Sequence, residues 1–327
     1  MSLITRTLSA AVLATALTLP IASTANAAGQ TVRDGHGTYH TQDQSVRFGY
    51  EIIDGLKIAY REAGDPAKPT ILLLHGFPTS SHMFRTLIPD LARDYHLIAP
   101  DYPGFGASDM PQADQYDYTF DALAGVVETL LERKGIDRYA LYLMDYGAPV
   151  GYRIFAKAPE KVTGFIIQNG NAYEEGLREF WDPLRAYWAD PNEETAAPLR
   201  AFLGIEGTKW QFTHGNRYPE AISPDNFWHV QYLLDRPGNQ EIQLELFYDY
   251  GSNLAEYPKW QALFREHQPP ALIVWGKNDH IFPADGAYPY QRDLNNVEFH
   301  LLDTGHFALE EDGARIADEI HDFMGRL

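Results

Sequence analysis

The sequence predicts an α/β protein: a mostly parallel sheet with helices on both faces and a helical insertion. Three observations predict it. Short apolar runs alternate with segments of helical periodicity from residue 47 to about residue 170. The alternation then stops between residues 171 and 268, and it resumes from residue 269 to the end. Alternation builds parallel strands, because each crossover must return the chain along a sheet face and a helix does this.

The elements follow in order. Arg47–Ile52 and Leu56–Arg61 flank Asp54-Gly55, a hairpin signal that places antiparallel strands at one edge. Thr70–Leu74 is an unbroken apolar run, as a strand buried on both faces requires. Met83, Phe84, Leu87, Ile88 and Leu91 recur at helical spacing. His96–Ala99 is the next strand. A helix over 121–133 puts Leu123, Val127, Leu130 and Leu131 on one face, with Asp121 in the first turn, where the helix dipole favours a carboxylate. Strand Tyr139–Met144, helix Gly147–Ala158 and strand Val162–Gln168 follow. The insertion is rich in Trp, Tyr, Pro and acidic residues, with helical patches at Glu179–Trp188 and Glu241–Phe247. Pro269-Pro270 closes it. Strand Ala271–Trp275, a helix near Tyr288–Leu294, strand Glu298–Leu302 and helix Ala314–Met324 complete the chain. An insertion before the last βα units sits over the strand C-terminal ends, where open α/β sheets bind ligands.

At the N-terminus, Arg6 precedes an apolar run, Leu8 to Leu19, and then Ala25-Asn26-Ala27. This is the order of a secretory signal peptide cut after Ala27, and it predicts a secreted or periplasmic protein. The remaining chain divides into a first core part, 28–170, a helical cap, 171–268, and a second core part, 269–327. Residues 30–45 read as a loose polar lead-in, whose His36 and His40 are simplest as solvated side chains. Forty-five acidic residues against 26 basic give a net charge of −19, which argues against nucleic acid and anionic membrane as partners. With no cysteine, a thiolate nucleophile, a disulfide and a cysteine-ligated metal are excluded. The 20 tyrosines and 6 tryptophans suit a lined pocket for a small apolar substrate.

The stretch Leu141–Pro149, LYLMDYGAP, carries a buried strand into a sharp turn and a helix, with Asp145 at the bend. That is the setting of a nucleophile elbow, x-nucleophile-x-Gly. Gly147 fills the small position after the nucleophile, while Leu143 stands where a small residue is usual before it. Four further segments fall at strand ends: His75-Gly76-Phe77-Pro78, the loop Asp101–Asp109 (DYPGFGASD), Trp275–Asp279 (WGKND) and Asp303–Phe307 (DTGHF). Together these segments resemble the α/β-hydrolase fold, in its epoxide hydrolase and haloalkane dehalogenase branch, over nearly all of the chain after residue 27. The resemblance implies an eight-stranded, mostly parallel sheet with a helical cap.

It also implies the roles. Asp145 is the nucleophile, His306 the general base and Asp279 the acid that orients it, in the chain order of this fold. The competing Asp303 reads as a turn residue and Trp275 as core. The backbone N–H groups of Phe77 and Tyr146 form the oxyanion hole. A carboxylate nucleophile suits displacement at sp³ carbon, leaving an alkyl ester that water hydrolyses with His306 as base. The donors and the helix N-terminus favour an ionised Asp145, and burial opposes them. No cofactor or metal is implied.

The leaving group separates two activities. An opening epoxide leaves as an alkoxide and wants a proton, which cap tyrosines supply in epoxide hydrolases. Here Tyr187 and Tyr250 are the candidates, with Tyr248 the competitor to Tyr250. A halide wants N–H donors, in dehalogenases a Trp after the nucleophile and a second Trp or Asn. Here Tyr146 and Phe77 occupy two of those positions, leaving Trp181 and Trp188 in the cap. Arginines that bind a fluoroacetate carboxylate are absent from the elbow, where Tyr146 and Pro149 stand. The expected function is epoxide hydrolysis, with haloalkane dehalogenation second and a low-turnover binding protein on the same fold third.

Overall fold

The computed structural model describes residues 46–327 and, separately, the backbone of two short strands, Thr31–Asp34 and Gly37–His40. These two strands pair antiparallel, so the segment read as a loose lead-in holds a ribbon. The proposed signal peptide and His36 lie outside the described residues.

The main body holds an eight-stranded sheet. Its strands are β1 (Arg47–Ile53), β2 (Leu56–Ala63), β3 (Thr70–Leu74), β4 (His96–Pro100), β5 (Tyr139–Met144), β6 (Val162–Gln168), β7 (Ala271–Gly276) and β8 (Val297–Leu302). Their spatial order is β1-β2-β4-β3-β5-β6-β7-β8. Only the β1–β2 and β2–β4 pairs are antiparallel. The β1–β2 turn takes Asp54 at φ 50° and Gly55 at φ 84°, the left-handed pair that Asp-Gly accepts most readily. Every residue of β3, β4, β5 and β7 is buried, which explains their unbroken apolar runs.

The helical reading near residues 83–91 resolves into a 3₁₀ turn, Ser81–Phe84, and the short helix α1, Leu87–Leu91. Ser80 caps the turn, its hydroxyl accepting from the His82 N–H. Helix α2 (Phe120–Lys134) starts on the Thr119 cap and ends at Gly135 with φ 65°. Helix α3 is Gly147–Lys157.

The cap contains six helices: α4 (Asp182–Ala189), α5 (Glu193–Phe202), α6 (Ile205–Thr213), α7 (Pro224–Leu234), α8 (Asn239–Asp249) and α9 (Asn253–His267). Helix α9 returns the chain to the core. Its Tyr257, Trp260 and Phe264 recur at helical spacing and are buried, and Trp260 and Phe264 pack against Tyr152 of α3. Near the C-terminus, α10 (Tyr290–Asp293) is a single turn, and α11 spans Leu309–Met324. Helix α11 begins before Ala314, across a kink at Asp312, so Gly313 does not start a new element.

Candidate active site

Asp145 sits just past β5 with φ 49°, a left-handed conformation that a non-glycine residue adopts at a cost. Two glycines make room for it. A Cβ on Gly76 would stand 2.3 Å from the Asp145 Cβ, and one on Gly147 would stand 2.2 Å from the Leu74 carbonyl oxygen. Asp145 is not a helix cap: α3 begins with no side-chain cap bond. Instead its Oδ1 accepts the Phe77 N–H at 2.7 Å and the Tyr146 N–H at 2.6 Å.

The other oxygen, Oδ2, faces His306 Nε2 at 3.7 Å. His306 Nδ1 lies 2.7 Å from Asp279 Oδ2. An Nδ1–H donated to that carboxylate leaves Nε2 of the neutral ring free to accept a proton. Asp279 is itself held, by the Ile281 N–H at 2.7 Å and by Asn169 Nδ2 at 2.8 Å. Asn169 follows β6, and its Oδ1 accepts the Gly276 N–H at the end of β7. Thus β5, β6 and β7 each end in one part of the same cluster. The chain before and after the cap contributes alike, because the parallel strands put all their C-terminal ends together.

Burial pushes the Asp145 pKa up to about 6, against the lowering effects of His306 and the two backbone donors. Burial pulls His306 the other way, but Asp279 and Asp145 outweigh it and its pKa is raised.

The neighbouring motifs brace this cluster. Buried His75 is held near pKa 4 by desolvation, so it is neutral, and its Nε2 accepts the Tyr102 N–H at 3.3 Å. Asp101 accepts from the Ser81 and Ala107 N–H groups, and Ser108 Oγ donates to the Asp101 carbonyl. These bonds tie the loops after β3 and β4 together. Asp303 is exposed and paired with Lys277 at 3.0 Å, and the Trp275 indole donates inside the core to the Phe282 carbonyl.

Over Asp145 lies a narrow, mostly apolar cavity, walled by Phe77 and Tyr146 from the core and by Phe180, Leu184, Phe202 and Phe247 from the cap. Tyr250 lines it as well, with its hydroxyl 3.4 Å from that of Tyr257. Tyr187 does not line it: that side chain borders a surface hollow with Asp117, Glu245 and Tyr248. Trp188 is not in the wall either. It stacks near Tyr250 at 6.4 Å and donates its indole N–H to the Phe247 carbonyl at 2.7 Å. Trp181 does line the cavity, but its N–H is committed to the Ile281 carbonyl at 2.7 Å. Arg153 is tied to Asp121 and Asn253 and takes no part in the lining.

The sequence reading missed Gln211, a cavity residue on α6 that is 2% exposed. The available signal was its spacing: Thr208, Gln211 and Phe212 form the buried stripe of that helix.

Fold and site together define a hydrolase scaffold, and the chain belongs to the family described as the alpha/beta hydrolase fold, whose model matches residues 69–313. Among its relatives, an uncharacterized hydrolase of Saccharomyces cerevisiae is 44% identical over 274 residues, covering 83% of this chain and 94% of the yeast protein. Haloalkane dehalogenase 2 of Mycobacterium tuberculosis is 35% identical over 280 residues, covering 79% of this chain and 88% of that one. In structure, the epoxide hydrolase CorEH, solved without ligand, superposes with a TM-score of 0.71 at 20% identity, over 86% of this chain and 99% of that one.

Proposed function

We propose that this protein hydrolyses epoxides to diols through an alkyl ester on Asp145. One observation carries the reading: the two N–H donors that would hold an oxyanion already hold Asp145 Oδ1. In a serine-type site such donors receive the substrate's carbonyl. Here that position is filled by the nucleophile's own oxygen. The carbonyl that is hydrolysed is therefore the one Asp145 supplies.

Oδ2 attacks an epoxide carbon, the C–O bond breaks, and its electron pair goes to the ring oxygen. Tyr250 gives that oxygen its proton from the cavity wall, and the tyrosinate recovers a proton from the carboxylic acid that ester hydrolysis leaves on Asp145. Water, giving its proton to His306 Nε2, then attacks Cγ of the ester. The negative charge arises on Oδ1, where the Phe77 and Tyr146 N–H groups stand; losing one such donor typically costs about 10²–10³ in rate. Collapse expels the diol oxygen, which takes the proton back from His306. Asp279 stabilises the imidazolium in between.

Epoxide is favoured over halide because the indole N–H groups of Trp181 and Trp188 both donate to backbone carbonyls. The mycobacterial relative favours a second reading, halide displacement through the same three residues. The test is mass spectrometry of His306→Gln with 1,2-epoxybutane and 1-bromobutane. A substrate-sized adduct on the Asp145 peptide from the epoxide supports the proposal. An adduct from the bromide alone, with bromide released, supports the second reading. Neither adduct overturns both.

A further inference from the structure

We propose that Gln211 selects the substrate, its carboxamide receiving a hydroxyl or amide group carried by the molecule that reacts at Asp145. The identity of the reacting group rests on the epoxide reading; the binding role does not.

Gln211 is buried in the cavity wall, and neither Nε2 nor Oε1 makes a hydrogen bond within the protein. Buried amides ordinarily have partners, and an apolar residue of the same shape would fill this wall without that cost. The neighbouring cap glutamines show the contrast. Gln231 bonds Thr208, the Leu203 carbonyl and Asp235, and Gln243 donates through Nε2 to Asn239 and leaves only its Oε1 unpaired, whereas Gln211 leaves both atoms. Other polar groups in the wall are engaged: Asp145 Oδ1 with two N–H groups, Tyr250 with Tyr257 and the Trp181 indole with Ile281. The Tyr146 hydroxyl is also unpaired, but it is a single atom on a ring packed against Phe120 at 4.9 Å.

Gln211 is also held in place. Phe212 stacks on Phe307 at 4.2 Å, and Trp210 stacks on Phe180 at 5.9 Å. The turn after α6 is fastened to the loops bearing His306 and Asp279. Asn216 Oδ1 accepts the Gly305 N–H at 3.0 Å, and Asn278 Nδ2 donates to the Gly215 carbonyl at 2.8 Å. A fixed amide with a free donor and a free acceptor matches a group that both accepts and donates. Hydroxyls and amides do; ethers, ketones and halides only accept.

The test compares wild type with Gln211→Met, using Gln211→Leu if the first variant does not fold. Calorimetry measures the binding of butyramide against pentan-2-one, which has the same shape without a donor. The ratio of affinities should fall by about tenfold in the variant, with Tm unchanged or higher. Rapid-quench alkylation then compares 2,3-epoxypropan-1-ol with 1,2-epoxybutane. The variant should slow the hydroxylated epoxide by about tenfold and leave the other within about twofold. Unchanged ratios in both assays overturn the proposal, while ester formation still upholds the epoxide reading. A shifted binding ratio without any ester upholds Gln211 and removes the epoxide.

Discussion

Leu143 and Gly151 share one volume: a Cβ built on Gly151 would stand 2.2 Å from Leu143 Cδ2. The small residue usual before an elbow nucleophile has in effect moved across to the helix. Gly151 lies one turn beyond Gly147 in α3, so the strand carries the bulk and the helix yields. Gly151→Ala should gain about 1 kcal/mol of helix propensity and lose about 1–3 kcal/mol to overpacking, a net loss of about 0–2 kcal/mol. Leu143→Ala alone should cost about 2–5 kcal/mol through the cavity it leaves. The double variant should recover at least about 1 kcal/mol of the summed losses, because the new methyl enters the vacated space. Urea denaturation of the four proteins measures this, and strictly additive losses would refute it.

The acid limb of activity should lie at an unusually high pH for a carboxylate nucleophile. Burial lifts Asp145 to about 6, and on the proposed ester mechanism only its ionised form attacks. Between pH 7 and pH 5 the alkylation rate should therefore fall by about tenfold, as one group with that pKa protonates. Ester hydrolysis needs neutral His306, whose raised pKa makes this step fall in acid too. Alkylation removes the Asp145 charge that helps hold the His306 proton, so the hydrolysis midpoint should lie below that of His306 in the free enzyme. Rapid-quench profiles of the two steps check both statements. An alkylation midpoint near 4 would mean that His306 and the two backbone donors together offset burial.

Much of the fold was legible because its strands are buried on both faces. Thr70–Leu74 and Tyr139–Met144 have the limits that their sequence predicts, since an unbroken apolar run has sharp ends. The helices near Met83 and Tyr290 were placed but not their lengths: periodicity showed neither the break at residues 85–86 in the first nor that the second is a single turn. Asp279 and His306 were legible because they lie in marked turns after strands, whereas Asn169, which follows β6 and holds Asp279, carried no such mark and was missed. The cap was not. Its helices pack aromatic residues on several sides, so a tyrosine such as Tyr187 looks the same in sequence whether it faces the cavity or a surface hollow. Gln211 carried no motif at all; only its place on a buried stripe distinguishes it.

Tyr250→Phe should separate the two chemical steps. The Tyr250 hydroxyl is buried at the cavity wall beside Tyr257, and burial raises its pKa well above the ordinary phenol value. It is therefore a neutral donor, suited to an alkoxide that forms as the ring opens. Its loss should slow alkylation by about 10²-fold, the scale of one general acid. Hydrolysis of the preformed ester should change by less than about threefold, because its oxyanion is held by backbone donors. Single-turnover traces resolve the two rates. Equal slowing of both steps would assign Tyr250 to packing.

Asn169 ties the acid to the sheet, and its two substitutions should differ in an informative way. It donates to Asp279 Oδ2 and accepts from the Gly276 N–H, while its own backbone sits at φ 46°. Asn169→Ala loses these side-chain bonds and leaves alanine in the left-handed region, which asparagine tolerates better. Asn169→Gly loses the same bonds without that strain. Both should slow ester hydrolysis by about 10- to 100-fold, since losing one hydrogen bond to a charged group is worth about 1.5–3 kcal/mol and Ile281 still holds the other oxygen. Both should unfold at lower urea than the wild type, the alanine variant at the lower of the two. Asp279→Asn gives the limiting case: it deprives His306 of its orienting charge and should slow hydrolysis by about 10⁴ while alkylation proceeds, so that ester accumulates on Asp145. If Asn169→Gly hydrolyses the ester at the wild-type rate, the asparagine serves only the turn, and Asp279 is positioned by Ile281 and His306 alone.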